Sequence, residues 1–178
     1  MSGLRAAGKS SVISEIILDG IDAGNRIAVF SGELAPKNFM RWMNLQAAGR
    51  GYTEPTQFEG YYNVRRQYQE RIAAWLGKNF WLYNNEYGND FKAIGEQFER
   101  LIEAEKLDLL ILDNLMAFNI TSLAESKYDA QTAFVMELQR LAKEYNVHIL
   151  FVAHPRKSLG FLRLDDISGT ADLANAVD

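Results

Sequence analysis

Gly8, Lys9 and Ser10, near the start of the chain, complete the pattern G-x-x-x-x-G-K-[ST] that begins at Gly3. Glycines at this spacing let backbone N–H groups curl around phosphate oxygens, and the helix that follows presents its positive end to the same anion. We therefore expect Lys9 to reach the β- and γ-phosphates of a nucleotide and the Ser10 hydroxyl to ligate Mg²⁺. The alternative is a fortuitous Gly-Lys-Ser sequence at a helix start. The predicted nucleotide-binding residues are Gly3, Ala6, Ala7, Gly8, Lys9, Ser10 and Ser11.

Two carboxylates follow apolar segments that have the character of buried strands. Asp113 comes directly after the aliphatic run at 109–112, and Glu33 follows the run at 26–31 in the sequence Ser-Gly-Glu-Leu. Parallel strands deliver their C-terminal residues to a ligand crevice, so Asp113 is predicted to hold the hydration shell of Mg²⁺. Glu33 would orient or deprotonate an attacking water. The alternatives are a turn or cap residue for Asp113 and an acidic helix start for Glu33.

The two histidines lie at opposite ends of one predicted strand. His154 ends the segment that begins at His148, on the same edge as the two carboxylates. We expect His154 to hydrogen-bond a γ-phosphate and to report its loss to the adjoining loop. A lone histidine at a strand end is also commonly a surface residue, and His148 is predicted to be structural.

Basic residues gather beside this predicted phosphate sensor. Arg156 and Lys157 follow His154, Arg163 lies further along, and Lys127 is placed in the preceding loop. In an acidic protein such a group is able to contact a phosphate backbone, although solvated loop charge explains it equally well. A second basic and aromatic group favours a partly packed helix face over strand binding; its members are Tyr61, Tyr62, Arg65, Arg66 and Tyr68.

Helical and strand patterns alternate along the chain. Apolar spacing predicts helices at 10–23, 36–48, 61–76, 90–106 and 129–145, with Asn89 or Asp90 capping the fourth. Short apolar runs predict strands at 26–31, 80–83, 109–112 and 148–153, and residues 114–127 are predicted to form a loop. Continuous apolar strands separated by helices indicate an α/β fold, with a mostly parallel sheet covered by helices on both faces.

Composition narrows the classes of protein to consider. The chain has 178 residues, 19 Lys plus Arg against 23 Asp plus Glu, and no cysteine. Disulfide scaffolds and cysteine-based zinc sites are therefore excluded. A sequence pI near 5.3 argues against a uniformly basic protein that coats nucleic acid. The apolar runs are far shorter than the ~20 residues that span a bilayer. These features predict a soluble, cytoplasmic domain without a membrane partner.

Taken together, five segments resemble the RecA-like motor domain of DnaB-family replicative helicases, with the nearest likeness to phage primase-helicases and the mitochondrial Twinkle helicase. They occur in the family's order and extend over nearly the whole chain. The Ser-Gly-Glu, Ala-His-Pro-Arg-Lys and Ser-Gly-Thr-Ala-Asp sequences are more discriminating than the phosphate loop, which many NTPases share. The matching segments cover residues 3–11, 28–34, 109–114, 152–157 and 167–172.

The resemblance implies a function for each of these segments. Glu33 becomes the catalytic base and His154 the γ-phosphate sensor, acting with Lys9 on Mg²⁺-ATP. The loops after Asp113 and after His154 correspond to those that hold single-stranded DNA in a central channel. Family members form hexameric rings with ATP between subunits, and a primase or a loader is an expected partner. The host expected from the resemblance is a bacterial or phage-infected cell.

The chain also departs from the family pattern. The strand before the phosphate loop, the linker helix and the final strands have no counterpart, and the arginine finger lies downstream of Asp178. Residues 1–178 are therefore expected to be the core of one RecA-like helicase ATPase domain, truncated at both ends. A DNA helicase motor is the leading interpretation. The alternatives are a recombinase or loader that uses ATP without unwinding, and a degenerate binding module.

Overall fold

A computed structural model describes residues 8–114 and 117–153, except for the side chains of residues 127 and 128. Helices and strands alternate within these ranges, as the sequence predicts. The α-helices are α1 (Lys9–Asp22), α2 (Pro36–Ala48), α3 (Arg66–Leu76), α4 (Phe91–Glu105) and α5 (Lys127–Tyr145). The strands are β1 (Ile27–Ser31), β2 (Thr53–Pro55), β3 (Tyr62–Val64), β4 (Phe80–Leu82), β5 (Leu109–Asp113) and β6 (His148–Val152).

Four strands form a parallel sheet in the order β4-β1-β5-β6. Ile27 lies opposite Leu109 at the start of the β1–β5 ladder, and Ser31 lies opposite Asp113 at its end. Since all four strands run in one direction, their carboxyl ends meet at a single edge. The sheet has helices on both faces, so the predicted α/β fold class is confirmed.

Alternate residues of the strands face two different hydrophobic clusters. On one face Ile27, Val29 and Ile111 pack with apolar side chains of α1, α2 and α3. On the other face Phe30 and Leu112 pack with apolar side chains of α4 and α5. Full burial of one such side chain contributes about 1.5–3 kcal/mol. Because strand residues alternate in direction, Ser31 and Asp113 belong to the same face as Ile27 and Ile111, and that is the face covered by α1.

Side chains fix where α4 and α5 begin. Asp90 caps α4 by accepting a hydrogen bond from the Ala93 backbone N–H at 3.1 Å. Ser126 caps α5 in the same way, accepting from the Asp129 N–H at 3.1 Å. The predicted cap of the fourth helix is therefore Asp90. The cap at Ser126 also corrects a boundary, because Lys127 is the first residue of α5 and not part of the preceding loop.

The predicted helix at 61–76 is wrong over its first five residues. Tyr62–Val64 instead pairs with Thr53–Pro55 as an antiparallel hairpin. The Arg65 N–H also donates to the Tyr52 carbonyl at 3.0 Å, so α3 begins only at Arg66. The reason is that cross-strand hydrogen bonds satisfy this backbone before a helix can. The predicted helix face of Tyr61, Tyr62, Arg65, Arg66 and Tyr68 therefore does not exist as one face.

A half-buried polar network joins α4 to α5 on the second face of the sheet. The Arg140 guanidinium donates to Glu99 of α4 at 2.7 Å and to Glu137 of its own helix at 2.8 Å. The Arg140 hydrogen bond lowers the pKa of the Glu99 carboxyl below its ordinary value of 4.5. Within residues 8–114 and 117–153, none of the helices combines the length and apolar character needed to cross a bilayer.

Candidate active site

The start of α1 has the backbone geometry that a phosphate-binding turn requires. Gly8 occupies the N-cap position with φ 78° and ψ 15°, a left-handed conformation that glycine adopts without steric cost. The Val12 N–H donates to the Gly8 carbonyl at 3.0 Å and closes the first helical turn. Gly8 supplies no capping side chain, so the positive end of the helix is suited to an external anion. Lys9, Ser10 and Ser11 form this first turn.

The two predicted carboxylates lie at the ends of neighbouring strands. Asp113 ends β5 opposite Ser31 and is 4% exposed. The Gly32 N–H donates to the Asp113 carbonyl at 2.5 Å, which continues the ladder beyond the strand end. Glu33, on the turn that follows β1, accepts a hydrogen bond at Oε1 from Asn114 Nδ2 at 2.7 Å. The structure thus brings Glu33 next to the residue that follows Asp113, although 80 positions separate Glu33 from Asp113 in the sequence.

The oxygen atoms at this edge fit a hydrated Mg²⁺ ion. The Ser31 hydroxyl is buried beside Asp113 and has no hydrogen-bond partner among the described residues. A buried polar atom without a partner carries a free-energy cost that a water on a bound cation would remove. Clusters of three or more His, Asp or Glu residues able to hold a metal are absent from the described part of the chain. That suits Mg²⁺, which usually takes one or two protein oxygens together with phosphate and water.

The turn that carries Glu33 is held closely from two sides. Gly32 packs against the loop after β5 so tightly that an added Cβ would lie 1.9 Å from Ala117 Cβ. Asn85, in the loop after β4, donates to the carbonyl of Ser31 and to that of Leu34, the latter at 3.4 Å. These two carbonyls flank Gly32 and Glu33. The backbone of the turn is therefore fixed at both ends.

Asn85 and Asn114 are contacts of Glu33 and its turn that sequence reasoning missed. Asn85 lies in a segment that the sequence identifies only as an Asn- and Gly-rich turn. Asn114 follows Asp113 directly, and a polar residue after a predicted strand-end carboxylate was the one feature that could have indicated it. Neither residue forms part of a recognisable motif.

Several predicted site residues lie outside the described ranges. They are Gly3, Ala6, Ala7, His154, Arg156, Lys157 and Arg163. Strand β6 ends at Val152, which lies opposite Asp113 in the ladder. The structure therefore gathers Gly8, Lys9 and Ser10 on the α1 side of the sheet and Glu33 with Asp113 at its carboxyl edge.

Comparison with known proteins places this geometry in a wider group. The family model described as an AAA domain matches residues 2–159. The solved structure of a helicase ATPase domain is similar with a TM-score of 0.71 and 13% identity, covering 99% of this chain and 65% of that one. A DnaB-like replicative helicase, solved with its interactions with primase, is similar with a TM-score of 0.75 and 12% identity.

The second of these alignments covers 99% of this chain and 44% of the solved one, so the chain spans less than two-thirds of either structure. No curated protein sequence matches. At these identities the likeness concerns the fold, and the fold is that of RecA-like helicase ATPase domains. This agrees with the expectation from the sequence.

Proposed function

This chain belongs to the AAA domain family, and we propose that it is the ATP-hydrolysing motor domain of a replicative DNA helicase. In this proposal ATP hydrolysis drives translocation on single-stranded DNA and separation of the duplex. The observation that carries the proposal is the meeting of Glu33 with the Asp113–Asn114 strand end, through the 2.7 Å hydrogen bond from Asn114. A base and a metal-binding carboxylate at adjacent strand ends, on a sheet with this fold, are what nucleotide hydrolysis needs.

The residues of the site divide the work between binding and proton transfer. The first turn of α1 binds the phosphates through backbone N–H groups, and Lys9 contacts the β- and γ-phosphates. Ser10 and Asp113 hold Mg²⁺, which supplies positive charge against the phosphate oxygens. Glu33 orients the attacking water and accepts its proton at the carboxylate. His154 is proposed to contact the γ-phosphate and to pass on its loss to the residues that follow.

The DNA part of the proposal rests on the family resemblance and on the distribution of charge. The loop after Asp113 and the basic residues Arg156, Lys157 and Arg163 are proposed to contact the phosphates of a single strand, with Lys127 at the start of α5. A hexameric ring is the proposed assembly of the whole protein. A primase is a proposed partner, since one of the similar helicases was solved with its primase interactions.

The test is ATP hydrolysis by the full-length protein, measured with and without single-stranded DNA. We expect DNA to stimulate hydrolysis and Lys9→Ala to abolish it, because the lysine compensates charge on the transferred phosphoryl group. Lys78→Ala is the matched control, as this exposed lysine lies at the opposite edge of the sheet. Retained turnover in Lys9→Ala would contradict the phosphate-loop assignment. Hydrolysis that is indifferent to DNA would favour a loader or recombinase, which a strand-displacement assay would then distinguish.

A further inference from the structure

We propose that Asn114 is a positioning residue that sets the orientation of the Glu33 carboxylate toward the attacking water. This inference rests on the proposed function, because it concerns the group that accepts the proton in ATP hydrolysis. It adds to that function a residue that lies outside the phosphate loop and both predicted carboxylates.

The geometry of the contact is well suited to holding a carboxylate. Asn114 is only 2% exposed, whereas Glu33 is an exposed residue on a turn. The Asn114 amide donates to Glu33 Oε1 at 2.7 Å, within the range of a hydrogen bond to a charged acceptor. A buried donor that holds one carboxylate oxygen restricts rotation of the carboxylate about its last bond. The other oxygen then has a defined direction.

The backbone of the Glu33 turn is fixed independently of this contact. Asn85 donates to the carbonyls of Ser31 and Leu34 on either side of the turn. Gly32 donates to the Asp113 carbonyl and packs against Ala117. With the main chain held in this way, the side-chain torsions of Glu33 are the freedom that remains. The Asn114 amide acts on that freedom.

An amide is chemically appropriate for this position. A cationic partner would stabilise the Glu33 carboxylate strongly and make it a poorer proton acceptor. An acidic partner would repel it and favour its protonated form. The neutral amide of Asn114 donates a hydrogen bond at every pH at which the protein is folded. It orients the base with the least change in basicity.

The experiment compares Asn114→Ala and Asn114→Asp with the unaltered full-length protein. We expect kcat for ATP hydrolysis to fall about 10- to 100-fold in both, since small misplacement of a reacting group has effects of that size. The KM for ATP and the affinity for a fluorescent ATP analogue should change by about twofold at most, because Asn114 is not proposed to touch the nucleotide. The near-isosteric Asn114→Asp preserves packing if Asn114→Ala unfolds.

Two readouts separate positioning from a structural role. In Asn114→Asp the new carboxylate faces Glu33, so the acid limb of the kcat profile should move to higher pH by about one unit. In a Glu33→Gln background, Asn114→Ala should have almost no further effect on kcat, because the base that it positions is already gone. Asn25→Asp is the control: it makes the same chemical change at an exposed residue just before the opposite end of β1.

The outcomes distinguish this inference from the function on which it rests. Lys9-dependent hydrolysis whose kcat is unaffected by Asn114→Ala would overturn the positioning role alone. An equal loss of kcat with and without Glu33, or an unmoved acid limb in Asn114→Asp, would do the same. Absence of Lys9-dependent hydrolysis in the unaltered protein would contradict the proposed function, and with it this inference.

Discussion

At the scale of single residues, the site combines one buried and one exposed carboxylate with different environments. Asp113 is buried at a strand end, where it is suited to a fixed task such as holding the hydration shell of a cation. Glu33 is exposed and is held through its side chain by Asn114, where it is able to meet a water. The two roles proposed for these carboxylates follow from this difference in position.

Replacing Glu33 by Gln tests its role with little change of shape. Glutamine keeps the side-chain length but cannot accept the proton of water, so we expect kcat for ATP hydrolysis to fall about 10²- to 10⁴-fold. The affinity for ATP should be retained, because the phosphates are bound by α1 and Lys9. Single-turnover hydrolysis and equilibrium binding measure the two quantities separately. Glu59→Gln, at an exposed residue between the hairpin strands, is the control, and a Glu33→Gln protein that still turns over would show that another group accepts the proton.

At the scale of elements, the carboxyl ends of β1 and β5 form one rigid unit with the loops that follow them. The close approach of Gly32 to Ala117 is the tightest contact of this unit. The loop is also tied to the start of α4, since Asn89 donates to the Ala117 carbonyl at 3.0 Å. Ser122 Oγ donates to Asp90 at 2.9 Å on the same side. Movement of the loop therefore has to involve both the Glu33 turn and α4.

Gly32→Ala should force the Glu33 turn and the loop apart. The added methyl group would overlap Ala117, and overpacking of this kind costs about 1–3 kcal/mol of the free energy of unfolding. We expect a lower midpoint in urea unfolding together with reduced ATP hydrolysis. Gly51→Ala is a matched control, because a Cβ at Gly51 would meet no atom within 4 Å. Equal stability of the two variants would mean that the Gly32 contact relaxes without cost.

Asp90→Ala should destabilise α4 in a pH-dependent way. Loss of an N-cap costs about 1 kcal/mol, to be measured by urea unfolding at pH 7. The Ala93 N–H and the Ser122 hydroxyl lower the pKa of Asp90 below its ordinary value of 3.8. The stabilisation is therefore complete above that ordinary value and is lost as the pH falls through the lower pKa of the folded state. Asp22→Ala, at the exposed C-terminal end of α1, should show neither effect, and a pH-independent cost at Asp90 would argue against the ionised cap.

Elements with a long apolar pattern were predictable from the sequence, and those defined by distant contacts were not. The bounds of α2 and the apolar runs of β1 and β5 were predicted because burial on one or both faces is written into residue type. The hairpin of β2 and β3 has only three residues in each strand, so cross-strand hydrogen bonds and not periodicity decide its structure. Glu33 and Asp113 were predicted from their strand ends. The hydrogen bond between Asn114 and Glu33 joins positions 81 apart, which no local pattern encodes.

At the scale of the whole molecule, parallel strand direction gathers at one edge the chemistry that the sequence disperses. Residues of α1, of the turn after β1 and of the end of β5 meet there because β1 and β5 are neighbours and α1 covers their face. The DNA-binding residues proposed for the same edge follow β6, the other neighbour of β5. Coupling between hydrolysis and DNA would therefore pass through adjacent strands of one sheet.

Charge reversal at Arg156 and Lys157 tests that coupling across the molecule. If both residues bind phosphates, the double variant Arg156→Glu and Lys157→Glu should bind single-stranded DNA more weakly. The slope of log K against log salt concentration should also become shallower by about 1.4, since each phosphate neutralised on a single strand accounts for about 0.7. The double variant Lys78→Glu and Lys106→Glu changes the net charge equally at exposed positions near the amino edge of the sheet. Its slope should stay unchanged. A parallel decrease of affinity in both double variants would mean that overall charge attracts the DNA, and an unchanged slope in the first would place Arg156 and Lys157 away from the strand.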